Sequence, residues 1–131
     1  MPAPQKDRIY FLVKDPHWTF LWWQLAPETV QRVAEQNSGQ PGQLVLRIYD
    51  VTHILFDGSN AHAWFDVDVF FETNYWYLNI GASDRNYLAE VGYRRADGQF
   101  TPCARSHSIY LPRDHPSDAG AYETSTILLE G

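Results

Sequence analysis

The strictest pattern in this sequence is the alternation across Phe65-Asp66-Val67-Asp68-Val69-Phe70-Phe71-Glu72. Phe65, Val67, Val69 and Phe71 fall on one face of an extended chain; Asp66, Asp68, Phe70 and Glu72 fall on the other. A period of two demands a half-buried β-strand and is incompatible with an amphipathic helix. Thr73-Asn74 then predicts a two-residue turn into Tyr75-Trp76-Tyr77-Leu78-Asn79-Ile80. In that register Phe71 meets Trp76, Val69 meets Leu78 and Val67 meets Ile80, inward against inward. The outer face sets Phe70 opposite Tyr77 and Asp68 opposite Asn79.

Similar short runs fill most of the chain. Arg8 to Lys14 reads as a buried strand, broken by Asp15-Pro16, and Thr19 to Leu25 resumes as an aromatic one. Trp22 and Trp23 are neighbours, so one of them must face outward. Trp23 is carried as the candidate, with Trp22 left open. Gln43 to Thr52 puts Leu44, Leu46 and Ile48 on one face and Arg47 on the other. Tyr87, Ala89, Val91 and Tyr93 alternate in the same way, and Asp97-Gly98 is the strongest hairpin signal. That turn pairs Val91 with Ala104 and Tyr93 with Pro102, and sets Glu90 across from Arg105. Pro102 lacks an N–H, which predicts an edge strand or a bulge there. Pro27 to Gln36 is the single convincing helix: Pro and Glu28 suit its first turn, and Asn37 to Gly42 ends it.

About seven short strands and one short helix after the second predict an immunoglobulin-like (fibronectin-like) antiparallel β-sandwich, with a small closed β-barrel as the alternative. Tyr87 stands where such sandwiches place a corner tyrosine. Residues 8–111 are expected to form the single domain. Residues 1–7 are expected to be a flexible segment and 112–131 an extended tail, whose apolar stretch 124–129 pairs with a sheet edge or a partner.

The 131 residues suit one domain, and the net charge of -6 argues against nucleic acid or an anionic membrane as the main partner. A lone Cys103 excludes a disulfide framework and a cysteine-rich metal site. The first apolar run, Ile9 to Val13, is shorter than a secretory or membrane segment requires, so the expected location is cytoplasmic.

Several separate motifs carry a family resemblance. They are Asp15-Pro16-His17-Trp18, Trp22-Trp23-Gln24-Leu25, Leu46-Arg47-Ile48-Tyr49-Asp50-Val51-Thr52, Trp76-Tyr77-Leu78-Asn79-Ile80-Gly81, Tyr87-Leu88-Ala89-Glu90-Val91-Gly92-Tyr93 and Ala104-Arg105-Ser106. In this order they resemble the bacterial domain-of-unknown-function family 4912, from about Arg8 to Asp118. Members often have Glu where this chain has Gln24. The resemblance implies no activity.

The candidate ligand-binding residues are therefore weighed by chemistry. Phe70, Tyr77 and one outward tryptophan form a patch able to stack on sugars, bases or peptide side chains. Glu90 and Arg105 form either a structural ion pair or an anion-binding fork. Trp18 and Asp50 suggest an end-cap, or a shallow pocket with Trp18 as floor and Asp50 as acceptor. Asp66, Asp68 and Glu72 have the spacing of a solvated strand face rather than a cation loop. His17, His53, His62, His107 and His115 lack metal-ligand spacing, so no metal and no cofactor is expected. Ser106-His107 lacks a nucleophile elbow, and Asp15, Asp50 and Glu90 assemble no catalytic set. The expected function is a non-enzymatic binding or assembly module. Its partner is a protein or a second copy, through a sheet edge or an aromatic patch. An intracellular carbohydrate-binding module is the alternative.

Overall fold

The computed structural model describes residues 6–36 and 42–113. Residues 1–5, the loop 37–41 after the helix, and the tail from 114 onward with its 124–129 stretch lie outside the described residues. The elements run β1 (Arg8–Val13), β2 (Trp18–Gln24), α1 (Pro27–Gln36), β3 (Gly42–Asp50), β4 (Ala63–Asp68), β5 (Tyr75–Asn79), β6 (Arg85–Arg95), β7 (Phe100–Arg105) and β8 (Ile109–Leu111). They form two antiparallel sheets. One has three strands in the order β1-β2-β5; the other has five, in the order β4-β3-β6-β7 with β8 also on β6. The sheets do not close into a barrel.

The core lies between them. Ile9, Phe11 and Val13 from β1, Leu21 and Trp23 from β2 and Leu78 from β5 meet Leu44, Leu46, Ile48, Ala89 and Val91 from the second sheet. Local chemistry sets the connections. The Asp15 carboxylate accepts the N–H groups of His17 (2.9 Å) and Trp18 (2.8 Å), which folds the β1–β2 turn. Asp7 accepts the Ala26 N–H (2.7 Å) and the Thr29 hydroxyl (2.6 Å), anchoring the start of α1. The Tyr87 hydroxyl donates back to the Ala82 carbonyl at 2.7 Å, the corner bond expected of such a sandwich.

Two expectations about pairing need correction. β4 and β5 do not form a hairpin: β4 pairs with β3 and β5 with β2, so residues 69–74 cross from one sheet to the other. The inward parity of Val67, Val69, Trp76 and Leu78 is as read, but their partners are other strands. At the ends of the pattern Phe65 and Phe71 are exposed rather than core. On β6–β7, Glu90 pairs with Arg105 and Val91 with Ala104, after which the register slips. Gly92 then faces Pro102 and Tyr93 faces Thr101. The turn has three residues rather than two, closed by Arg95 N–H to the Gln99 carbonyl and Gly98 N–H to the Arg95 carbonyl, and the bulge absorbs the one-residue difference.

Gly92 is at this bulge because nothing larger fits. A Cβ there would lie 2.5 Å from the Thr101 carbonyl oxygen and 2.6 Å from the Phe100 ring. Gly92→Ala is therefore expected to lower stability by about 1–3 kcal/mol. A shift of the urea midpoint measures it, and an unchanged midpoint would show that β7 yields freely.

Candidate functional site

The two outer sheet faces differ sharply in how they are finished. On the five-stranded sheet, the outward Arg47 is held between the rings of Trp64 (3.9 Å) and Phe100 (4.1 Å). Its guanidinium grips Asp66 with two bonds of 2.7 and 3.0 Å. Arg94 joins Asp66 and Asp68 at 3.0 and 3.1 Å. The acidic stripe of β4 is thus an ion-pair ladder rather than a solvated face. Further along, the loop after β3 lays Ile54, Phe56 and Ala61 over Tyr49, Val51 and Leu88. This face is covered by its own side chains.

The three-stranded sheet has no such cover among the described residues. Residues of one parity face outward: Arg8, Tyr10 and Leu12 on β1, Trp18, Phe20, Trp22 and Gln24 on β2, and Tyr75, Tyr77 and Asn79 on β5. Strand pairing arranges them in rows, with Tyr10, Trp22 and Tyr75 in one and Leu12, Phe20 and Tyr77 in the next. Tyr10 stacks on Trp22 at 5.3 Å, and Phe20 lies 4.9 Å from Tyr77. Tyr75 meets Tyr77 edge-on at 6.4 Å. Tyr10, Trp18, Tyr75 and Tyr77 keep 40%, 44%, 51% and 57% of their surface exposed. The Lys14 ammonium lies 5.9 Å from the Phe20 ring, and Arg8 reaches the Tyr10 hydroxyl at 3.5 Å. No outward position of these strands is acidic, although the chain as a whole is. Beyond Trp22 the face runs into an open cleft of about 600 Å³ bordered by Gln24, Leu25, Val30, Phe71 and Asn74.

Of the sequence candidates, this face collects Trp18 and Tyr77. Trp23 is a correction: it is only 2% exposed and packs in the core, so Trp22 is the outward ring of that pair. Phe70 is also corrected. It is exposed in the crossover after β4, and no strand pairing sets it beside Tyr77. Trp18 floors no pocket with Asp50. That carboxylate accepts the Thr52 N–H (3.1 Å) and hydroxyl (2.7 Å) and pairs with Arg85. It borders a separate cleft of about 280 Å³ with Trp64, Phe65 and Tyr87. Burial opposes ionisation of Asp50, but the hydrogen bonds from Thr52 and Arg85 outweigh it and hold the group below the usual carboxylate range.

Glu90 is buried, with one oxygen accepting from the Tyr49 hydroxyl (2.6 Å) and the other from Arg105 (3.1 Å). Burial first, and then the bond to Glu90, raise the Tyr49 pKa and keep its phenol protonated. Arg105 also lies over the Phe56 ring at 4.9 Å. Glu90 and Arg105 thus tie the β3–β4 loop to the sheet. Burial pushes the Cys103 thiol up to about 11, which removes it as a nucleophile at neutral pH. No group of three or more potential metal ligands occurs among the described residues.

The sequence reading missed Tyr10, Phe20 and Tyr75. Their signal was present as period two: positions 18, 20 and 22 share a parity on β2, and 75 and 77 share one on β5.

The profile of one family, described as a domain of unknown function (DUF4912), matches residues 5–121. The chain belongs to that family. No curated protein is significantly similar to it. Among solved structures, the FN5 domain of Drosophila Lar is similar, with a TM-score of 0.50 and 13% identity over 85% of this chain and 99% of that one. The fn3 domain of human collagen alpha-1(XX) gives a TM-score of 0.49 and 14% identity over 88% and 89%. The likeness to Lar assigns this member of the family a fibronectin-like, immunoglobulin-type sandwich fold. No helix among the described residues is long and apolar enough to cross a membrane.

Proposed function

We propose that this chain is a non-enzymatic binding module that recognises a protein through the outer face of β1, β2 and β5. One observation carries the reading: six aromatic rings stand in register on one open sheet face, while the opposite outer face is covered. Rings of this kind supply large contact area for little lost rotamer freedom, and tyrosine adds a polar tip. Asp15, Asp50 and Glu90 are engaged in holding turns and loops, which counts against these three as catalytic acids. Among the described residues only Arg8 and Lys14 supply positive charge on the face, too little for tracking a phosphate backbone.

A carbohydrate ligand is the second reading. It is favoured by the Gln24 and Asn79 amides and the tyrosine hydroxyls that rim the rings. Tryptophan fluorescence titrated against a peptide array and a glycan panel separates the two. Peptides that bind the native chain and lose affinity at least about tenfold on Trp18→Ala with Tyr75→Ala support the proposal. Response confined to glycans transfers it to the second reading. A ligand held equally by the double variant would falsify the site.

A further inference from the structure

The three-stranded sheet ends in an edge that lacks every usual protection against pairing. Exposed strands are commonly blunted by charge, proline or a bulge. β7 carries Pro102 and a bulge at Cys103, β4 carries Asp66 and Asp68, and β1 carries Arg8 on its outward parity. β5 is Tyr75-Trp76-Tyr77-Leu78-Asn79, with no charge, proline, glycine or bulge. Among the described residues no strand pairs with its far side.

The ladder shows which backbone groups that edge presents. The Trp23 N–H bonds to the Asn74 carbonyl (3.0 Å) and the Ile80 N–H to the His17 carbonyl (2.8 Å). Antiparallel bonding alternates, so residues 74, 76, 78 and 80 address β2. Tyr75, Tyr77 and Asn79 direct their N–H and C=O groups away from the sheet. These three are symmetric about Tyr77.

We infer that β5 is a self-pairing edge: two copies of this chain join through antiparallel β5 strands, with Tyr77 on the twofold axis. Tyr77 then exchanges two bonds with the partner's Tyr77, and Tyr75 and Asn79 exchange theirs with the partner's Asn79 and the partner's Tyr75. That closes about six backbone hydrogen bonds. The register also matches side chains: tyrosines meet on the outer face, and Trp76 lies beside the partner's Leu78 on the inner one. An uncharged strand brings no like charges together, which matters in a chain of net charge -6. The two aromatic faces become one continuous surface. The inference does not depend on what that surface binds. Five residues per strand bury far less than the roughly 1,200 Å² of a stable interface, so the dimer forms at high concentration only.

Sedimentation equilibrium from about 10 μM to about 1 mM reads the association directly. The mass is expected to rise from 15.2 kDa toward twice that value. Tyr77→Lys and Tyr77→Glu each place like charges across the axis and are expected to stay monomeric, while their equimolar mixture recovers the dimer. In the native chain, hydrogen exchange at the Tyr75, Tyr77 and Asn79 amides slows as concentration rises, and exchange at Trp76 and Leu78 does not change. A native chain that is monomeric throughout overturns the inference, as does concentration-dependent protection confined to β1 or β4.

Discussion

Alanine at Trp23 will cost the fold about 3–5 kcal/mol, whereas alanine at Trp22 will cost about 1 kcal/mol and fall mainly on binding. The two residues are adjacent and chemically identical, so the difference is purely one of parity. Trp23 is buried with Leu21 and Thr19 on the inner side of β2, and its removal leaves a cavity between two sheets that cannot collapse onto each other. Trp22 is half-buried on the outer side, where it loses the stack on Tyr10 and some contact area. Urea denaturation followed by circular dichroism measures both. Equal losses of stability would mean that the outer rings are as much a part of the core as the inner ones, and the proposed contact surface would lose its support.

That the two rings face opposite ways was legible in the sequence, but which of them faces outward was not; much of the fold was legible too. Alternation is local: it follows from successive side chains pointing to opposite sides, whatever the strand pairs with. The helix over Pro27–Gln36 and the Tyr87 corner rest on signals within a few residues of one another, while the Glu90–Arg105 pairing, 15 residues apart, was projected from the Asp97-Gly98 turn and holds because the bulge offsets the longer turn. The choice of partner strand is not local. The stretches 65–72 and 75–80 match as a hairpin, yet Thr73-Asn74 has none of the glycine that a tight two-residue hairpin turn favours. The crossover also lets both strands bury their inward residues against longer neighbours. One further lesson comes from Arg47. Its position opposite Leu46 and Ile48 predicted an outward side chain, but not that Trp64 and Phe100 would enclose it.

The candidate site was half visible for the same reason. Trp18, Tyr77 and an outward tryptophan could be named from β2 and β5 separately. Which strands lie side by side decides whether scattered rings become a surface, and β1-β2-β5 adjacency is what brings Tyr10, Phe20 and Tyr75 to them. Nor does alternation show which outer face is open. That depends on Arg47, Arg94 and the loop after β3 covering the other sheet.

Asp66→Asn is expected to destabilise the chain by about 3 kcal/mol at neutral pH, because it strips the shared acceptor from Arg47 and Arg94 while Arg47 stays enclosed between two rings. Acid will erase most of that difference. Burial works to raise the Asp66 pKa, but the hydrogen bonds and charges of Arg47 and Arg94 outweigh it and hold the group below its ordinary value. A carboxyl with a lower pKa folded than unfolded binds fewer protons in the native state. Its contribution is therefore complete above the unfolded value near about 4 and is lost as pH falls through the depressed folded one. Asp50 is shifted the same way by Thr52 and Arg85, so the variant keeps some acid sensitivity of its own. Urea midpoints for the native chain and the variant should accordingly converge as pH drops below about 4. A gap that stays constant with pH would show that Asp66 acts there through shape and not through charge. The covered sheet would then owe its closure to the Trp64–Arg47–Phe100 stack alone, and Arg47→Met, which keeps the stem but not the cation, would be tolerated where the ion-pair account requires it to fail.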